Sequence, residues 1–201
     1  MSDNYEILPV AAETEAVNPP AKWLWYLFYI HIASMLLSLP ALIFLDNPIT
    51  PWLGHLATAG VIVCLFHLAL ANGRYRTAAV LTAVQIVLTV LSRWKLSSLL
   101  TIAASVLSII AAYQEFHGHS EAVAPKDPKL AKKWCSLFTW QLVIGVIAGF
   151  SSVAAVVIMV LAEMNQDTII SLTAGAVILV GMIPGILYLL YMRRMIRMFE
   201  T

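Results

Sequence analysis

The chain has 201 residues, of which 61% are hydrophobic and 11% are charged, and its mean hydropathy is +0.85. So few charged side chains cannot cover so much apolar surface in water, so the composition argues against a soluble globular domain and predicts a polytopic membrane protein. Twelve Lys and Arg oppose eleven Asp and Glu, for a net charge of +1, which leaves no basic excess for binding a nucleic acid.

Residues 1–22 are expected to form a disordered cytoplasmic tail. They carry four acidic residues before the first lysine, and they end near the helix-breaking pair Pro19-Pro20. The basic start, short apolar core and cleavage site of a secretory signal are missing from them. This composition predicts a tail that stays on the protein.

Apolar runs of membrane-spanning length follow the tail. A bilayer core of about 30 Å needs about 20 helical residues, and the chain offers five such runs and a weaker sixth of sixteen residues. The predicted fold is an all-α bundle of six transmembrane helices, followed by a basic helical extension at residues 193–201. The predicted spans are residues 23–45, 52–71, 77–92, 96–116, 136–162 and 168–192.

Basic residues orient this bundle. With the N-terminus in the cytoplasm, ten of the twelve Lys and Arg fall inside, and only Arg93 and Lys95 fall outside. Both termini are therefore predicted to be cytoplasmic, in a membrane of the bacterial inner-membrane type. All six Trp lie near predicted span ends, where amphipathic rings prefer the interface. Loops are predicted to be short, except for a cytoplasmic loop between spans four and five.

Small and polar residues form stripes along spans three and four. Because lipid gains nothing from such residues, they mark the face of a membrane helix that meets other helices. Their spacing of three and four residues puts each set on one side of its helix, so we expect the two stripes to meet across a hairpin. The stripes consist of Thr82, Gln85, Thr89 and Ser92 on span three, and of Ser98, Thr101, Ser105, Ser108, Ala112 and Glu115 on span four.

Glycine pairs occur on spans five and six. Gly145 and Gly149 form one GxxxG pair, and Gly181 and Gly185 form another around Pro184. Since small residues let helix backbones approach closely, both pairs predict tight packing of these two spans. Pro184 cannot donate a backbone hydrogen bond, so it is expected to kink span six and is a candidate hinge.

Two histidines are the deepest titratable residues of the predicted spans. His31 in span one and His67 in span two fall at depths about 6 Å apart, at 1.5 Å per helical residue. One hypothesis is a paired-histidine site for haem or a transition metal, or a proton relay. The interpretation we favour is two neutral imidazoles bonded to serines or backbone carbonyls, and the sequence requires no cofactor.

Four further potential metal ligands alternate where span four is predicted to leave the membrane: Glu115, His117, His119 and Glu121. A shared metal ion requires the chain to unwind at Gly118, because residues two apart on a helix diverge by about 200°. Solvated side chains are the favoured alternative. Glu115 falls within two residues of the predicted span end, so charge is essentially absent at depth, which argues against ion coupling.

No catalytic signature such as HExxH or GxSxG occurs, so no enzyme activity is predicted. The predicted function is that of an accessory or scaffold subunit, which packs against a membrane-protein partner or a second copy of the chain in the lipid bilayer. One alternative is a small-solute transporter or channel lined by the polar stripes. Another is a haem or metal protein that uses His31 and His67. A cavity between Gln85, Thr101 and Ser105 favours the transporter, and dry packing there favours the scaffold.

Overall fold

The computed structural model describes residues 20–43, 49–93, 98–162 and 166–200. These residues form six α-helices and no strand, which confirms the all-helical prediction. The helices are α1 (Ala21–Ile43), α2 (Ile49–Leu68), α3 (Gly73–Arg93), α4 (Ser98–Val123), α5 (Pro128–Ala162) and α6 (Gln166–Phe199).

Two helices within the described ranges are long and apolar enough to cross a membrane. They are Gly73–Ser92 in α3 and Ser98–Val123 in α4, and the apolar segment Trp52–Leu68 of α2 is shorter. Large apolar side chains such as Val87 and Ile102 remain exposed along α3 and α4. Contact with lipid accounts for such exposure, so these helices support membrane association.

Consecutive helices pack side by side, and α1 also packs on α6, so the six helices close a ring. Short turns at residues 69–72 and 124–127 reverse the chain after α2 and after α4. One end of the ring carries the first turns of α1, α3 and α5 and the last turns of α2, α4 and α6. We call it the closed end, because most of the buried side chains among the described residues lie there.

The core of the closed end is apolar and aromatic. Its fully buried side chains come from all six helices, and they pack into one cluster around Tyr75 and Trp134. The largest of them are Trp134, Tyr75, Leu24, Leu27, Leu65, Leu68, Leu130, Met192, Met195, Ile196, His119 and Val123. In its opposite half, α4 buries only the small residues Ala104 and Ala111.

The prediction of a long loop between spans four and five is wrong, because only the turn at residues 124–127 separates α4 from α5. Asp127 caps α5: its Oδ1 accepts hydrogen bonds from the backbone amides of Lys129 at 3.1 Å and Leu130 at 2.9 Å. Pro128 occupies the first helical position, where its missing N–H leaves no carbonyl unpaired. The Asp127-Pro128 pair is therefore a helix-start signal.

The end of α6 is hydrogen-bonded to the turn at residues 124–127. Arg194 Nη2 donates to Asp127 Oδ2 at 2.7 Å, and Lys126 Nζ donates to the carbonyl oxygen of Met198 at 2.7 Å. The Lys126 ammonium also lies 4.5 Å from the ring centroid of Phe199. The last residues of the chain thus hold the connection between α4 and α5.

The predicted C-terminal extension is a continuation of α6, which runs through residues 193–199. Its apolar side packs against the other helices of the bundle. Met195 and Ile196 are fully buried in the core of the closed end. The basic residues Arg193 and Arg197 lie on its exposed side.

Replacing Asp127 by alanine is expected to lower the melting temperature at neutral pH. The pKa of Asp127 lies below its ordinary value of 3.8, chiefly because its carboxylate accepts the Leu130 amide; slight desolvation opposes this, and Arg194 adds to it. A depressed pKa stabilises the fold above pH 4 and loses that contribution as the pH falls through the folded-state pKa. Thermal unfolding should therefore separate Asp127→Ala from wild type at pH 7, and the difference should shrink as the pH is lowered below 3.8.

Asp127→Asn is the matched control, because asparagine keeps the cap but not the charge that pairs with Arg194. It should melt between the other two proteins at pH 7. A difference between wild type and Asp127→Ala that is as large at pH 3 as at pH 7 would contradict this role of the carboxylate.

Candidate functional site

A cluster of polar side chains lies inside the closed end. We call it the Glu115 cluster, and four helices contribute to it: His31 from α1, Tyr75 from α3, Glu115 and His119 from α4, and Tyr188 from α6. Tyr75, His119 and Tyr188 are buried, whereas the side chains of Glu115 and His31 are 13% and 28% exposed. The cluster therefore has a sealed side and an accessible side.

Hydrogen bonds connect the sealed side. Tyr188 Oη donates to Glu115 Oε1 at 2.6 Å, and His119 Nε2 lies 3.4 Å from Tyr188 Oη and 3.6 Å from Glu115 Oε1. His119 Nδ1 lies 2.8 Å from Tyr75 Oη. A neutral His119 that carries its proton on Nε2 satisfies these contacts, since Nδ1 then accepts the proton of Tyr75. The rings of Tyr75, His119 and Tyr188 thus form one connected chain that ends at the Glu115 carboxylate.

His31 forms the accessible side. Its Nδ1 lies 2.9 Å from the carbonyl oxygen of Leu27, and its ring stacks on Tyr188 with centroids 4.4 Å apart. Since Nδ1 donates to that carbonyl, the neutral ring keeps a lone pair on Nε2, which lies 4.0 Å from Glu115 Oε1. His31 Nε2 therefore faces the carboxylate of Glu115 on the accessible side of the cluster.

A close approach of α3 to α4 positions the cluster. Glu115 and His119 are four residues apart, so they share one face of α4. The ring of Tyr75 reaches His119 across Gly118, where an added Cβ would lie 3.0 Å from Tyr75 Cε1. Any residue with a Cβ at position 118 would require the ring of Tyr75 to shift by a few tenths of an ångström.

Gly118→Ala is expected to reduce the free energy of unfolding by about 1–3 kcal/mol, because the methyl group displaces a buried ring in a closely packed core. Thermal unfolding in mild detergent measures the effect. Gly145→Ala is the matched control, since nothing lies within 4 Å of a Cβ built at that glycine. Equal melting temperatures for the two variants would contradict the close approach.

A cavity of about 190 Å³ opens onto the accessible side of the cluster. We call it the inner cavity. Its walls come from α1, α4, α5 and α6, so it lies within the ring of helices. The residues that line it are His31, Met35, Ala112, Glu115, Phe116, Gln141, Pro184, Gly185 and Tyr188.

Two more cavities adjoin it along α4. One of about 400 Å³ lies between α4 and α5 and shares Ala112 and Gln141 with the inner cavity. The other, of about 370 Å³, lies between α3 and α4 and shares Ser108 with the previous one. It is lined by Gln85, Thr89, Ser92, Thr101, Ala104, Ser105, Ser108 and Ile109. The polar stripe of α4 thus runs past three adjoining cavities and ends at Glu115.

The structure brings most of the two predicted stripes to the same cavity. Ser98 is exposed at the start of α4 and Thr82 lies outside the cavity lining. The hydroxyl groups of Thr82, Thr89 and Ser105 each donate to the backbone carbonyl one turn earlier, at 2.8 to 2.9 Å. Their hydrogen-bonding needs are met without a partner across the seam, so the stripes border a space between helices.

His31 and His67 are not brought together. The ring of His67 stacks on Trp23, with centroids 3.7 Å apart and planes 7° from parallel. Trp23 precedes His31 by eight residues, which is about 12 Å along a helix. A paired-histidine site for haem or a metal is therefore not formed by these two residues, and the partner of His31 is Glu115 on α4.

The four alternating ligands at the end of α4 are not brought together either, because α4 stays helical through Gly118. His117 packs on Tyr113, and Glu121 pairs with Arg74. The part of the chain that the structure describes contains no group of three His, Cys, Asp or Glu side chains able to hold a metal ion. Of the four, Glu115 and His119 meet in the Glu115 cluster.

α5 and α6 pack side by side, but Gly145 and Gly185 do not face each other across that contact. Gly145 lines the cavity between α4 and α5, and Gly185 faces Met35 of α1, whose Sδ would lie 3.2 Å from an added Cβ. Gly149 and Gly181 lie outside the residues whose surroundings the structure describes. Pro184 is buried against the inner cavity, and α6 is helical on both sides of it.

Glu115 lies deeper than its sequence position predicts. The sequence puts it at the end of span four, but α4 continues for two further turns to Val123. An ionisable carboxylate therefore does face the interior of the bundle, which removes the main objection to ion coupling. The spacing of Glu115 and His119 is the available signal, since a four-residue step puts a carboxylate and an imidazole on the same helix face.

Comparison of the chain with known protein families, with curated proteins and with solved structures finds no match. The function must therefore be inferred from the chemistry of the site. A carboxylate at the base of a chain of cavities, backed by two imidazoles and two phenols, is the feature to explain.

Proposed function

We propose that the protein is a six-span carrier of a small solute, with both termini and the closed end in the cytoplasm of a bacterial-type cell. The charge distribution supports this topology. Exposed basic side chains surround the closed end, as the positive-inside rule expects of a cytoplasmic face. They are Lys22, Arg76, Lys126, Lys129, Lys132, Lys133, Arg193, Arg194 and Arg197.

The single observation that carries the proposal is the row of cavities along the polar face of α4, which ends at Glu115. Polar side chains that line a space between helices suit a solute, because they replace part of its hydration. A scaffold gains nothing from such a space, since loosely packed helices forfeit contacts with one another.

The apolar core favours a carrier over an open channel. Below the inner cavity, the closed end is filled by side chains such as Trp134, Leu65 and Met192, which are fully buried. A solute that reaches Glu115 from outside must wait for the helices to rearrange before it can leave inward. Pro184 lies in the wall of the inner cavity and is the proposed hinge for this step.

The accessory or scaffold subunit is the second candidate. It is favoured by the outer face of α5, where Trp140 and Phe150 are 61% and 74% exposed and could meet a membrane-protein partner. Lipid covers such a face equally well, so the cavities decide in favour of the carrier.

Cysteine labelling tests whether water fills the cavities. In a background without the two native cysteines, Cys64 and Cys135, Ser105→Cys should react in intact cells with a charged, membrane-impermeant thiol reagent. Val106→Cys is the matched control. Val106 follows Ser105 in the sequence and its side chain is half exposed, but it lines none of these cavities, so lipid should protect a cysteine there. Protection of both cysteines would favour dry packing and the scaffold.

A further inference from the structure

We infer that the inner cavity binds a small primary ammonium ion, which pairs with the Glu115 carboxylate and displaces a proton from His31. This inference rests on the proposed carrier function and names the class of its solute.

The charge of Glu115 gives the first reason. Its Oε1 has Tyr188, His119 and His31 as neighbours, and among the described residues no Lys or Arg forms an ion pair with it. The nearby cations are engaged elsewhere, since Arg74 pairs with Glu121 and Arg194 with Asp127. An interior carboxylate without a permanent counter-ion is neutralised by a proton or by a bound cation.

The size and lining of the cavity give the second reason. A protein cavity of about 150 Å³ accommodates benzene, so the inner cavity of about 190 Å³ accommodates one small molecule of similar size. Met35, Ala112 and Phe116 supply apolar wall, which suits a short hydrocarbon or aromatic group. Glu115 and the side-chain amide of Gln141 are placed to accept hydrogen bonds from an ammonium group.

The geometry of His31 makes it the proton donor. It lines the cavity, and its Nε2 lies 4.0 Å from Glu115 Oε1, so a protonated ring and a bound ammonium ion would compete for one carboxylate oxygen. His119 also lies near that oxygen but is fully buried. Binding then exchanges one charge for another: the ammonium ion pairs with Glu115, and the proton on His31 Nε2 leaves to water.

Among the described residues, Glu115 is the accessible titratable group that faces His31. α5 presents Trp134 and Gln141, which do not titrate near neutral pH. The titratable groups that the remaining helices bring to this end of the core are Cys64 from α2, Tyr75 from α3, Glu115 and His119 from α4, and Tyr188 from α6. The thiol and phenols are neutral at physiological pH, so competition between proton and ammonium ion falls on His31 and Glu115.

Isothermal titration calorimetry of the full chain in lipid nanodiscs tests this inference, with benzylammonium chloride as the probe and benzyl alcohol as its neutral counterpart. At pH 7.5 the ammonium ion should bind at least about tenfold more tightly than the alcohol, because only the ion pairs with Glu115. Its affinity should fall as the pH is lowered to 5.5, because protons then compete with the ammonium ion for the site. Titrations in buffers of different ionisation enthalpy should show proton release on binding at pH 5.5.

Two variants locate the effect. Glu115→Gln is similar in shape and should lose about tenfold or more in benzylammonium affinity, whereas His31→Gln should still bind but with a weaker dependence on pH. The comparison of the two probes on the wild-type protein needs no variant, so the inference stays testable if either variant fails to fold. Equal affinities for the ion and the alcohol, or an ion affinity independent of pH, would overturn it.

The labelling of Ser105→Cys distinguishes the two levels of the proposal. If that cysteine is labelled but the ammonium ion binds no better than the alcohol, the solute pathway stands and this choice of solute is wrong. If that cysteine is protected and neither probe binds, the carrier function fails as well.

Discussion

Trp134→Ala is expected to lower the free energy of unfolding by about 3–5 kcal/mol, which is the usual range for truncating a large buried aromatic residue. Trp134 is fully buried in the closed end, and its ring lies 4.6 Å from His119 and 5.3 Å from Tyr188 between centroids. Alanine leaves a cavity beneath the Glu115 cluster and removes the edge contacts that hold both rings. Thermal or denaturant unfolding in mild detergent measures the loss.

Trp140→Ala is the matched control, because the same residue on the same helix is 61% exposed there. It should change stability by less than about 1 kcal/mol. Trp134→Phe should cost less than the alanine variant, since its phenyl ring fills part of the space that alanine leaves empty. Both variants remove an indole N–H that has no hydrogen-bond partner within the described residues. Equal losses at positions 134 and 140 would contradict the location of the core.

Tyr188→Phe is expected to have the second-largest effect, because it removes one oxygen atom from the centre of the Glu115 cluster. The hydroxyl donates to Glu115 Oε1 at 2.6 Å and lies 3.4 Å from His119 Nε2. Its loss leaves a largely buried carboxylate without its shortest hydrogen bond, at a cost of about 1.5–3 kcal/mol. The melting temperature should fall accordingly, with little change in the helical content measured by circular dichroism.

Tyr191→Phe on the same helix controls for the loss of a phenol. Its ring packs on Trp134, and the structure assigns its hydroxyl no hydrogen bond among the described residues. The control should melt within a degree or two of wild type, as surface or unpaired hydroxyls contribute little. If Tyr188→Phe were as stable as Tyr191→Phe, the short hydrogen bond to Glu115 would not contribute to the fold.

Local patterns in the sequence predict the helices well. Each of the six apolar runs corresponds to a helix, because length and continuous hydrophobicity are local properties. The stripes on α3 and α4 can also be read locally, since a spacing of three and four residues fixes the face on which Gln85 and Ser105 lie. These two residues line one cavity in the folded chain.

The end of α4 could not be predicted in the same way. Hydropathy falls after residue 114, which suggests that the span stops there, but the polar residues that follow are satisfied by partners on other helices. Glu115 meets Tyr188, His119 meets Tyr75, and Ser120 donates to the Ala131 carbonyl at 3.0 Å. Contacts between residues so far apart in sequence leave no periodicity to detect. The sequence therefore puts His31 in one candidate site and Glu115 and His119 in another, although the three lie together in the folded chain.

The positions of the tryptophan rings could not be predicted from local sequence either. Hydropathy and position suggest that Trp23 and Trp134 are interfacial rings. In the structure Trp23 stacks on His67, and Trp134 is the largest side chain of the core. The difference depends on which helices are neighbours in the ring, and a single sequence does not contain that information.

The central claim is that water reaches the inner cavity from outside and stops at the closed end, and a pair of cysteines on α5 tests it most directly. Gln141 lines the inner cavity, whereas Leu137, one turn closer to the closed end, is 2% exposed in the core. With native cysteines removed, an impermeant thiol reagent added outside intact cells should label Gln141→Cys and leave Leu137→Cys unmodified. Protection of Gln141→Cys, or equal labelling of both positions, would contradict a cavity that opens outward and is sealed below Glu115.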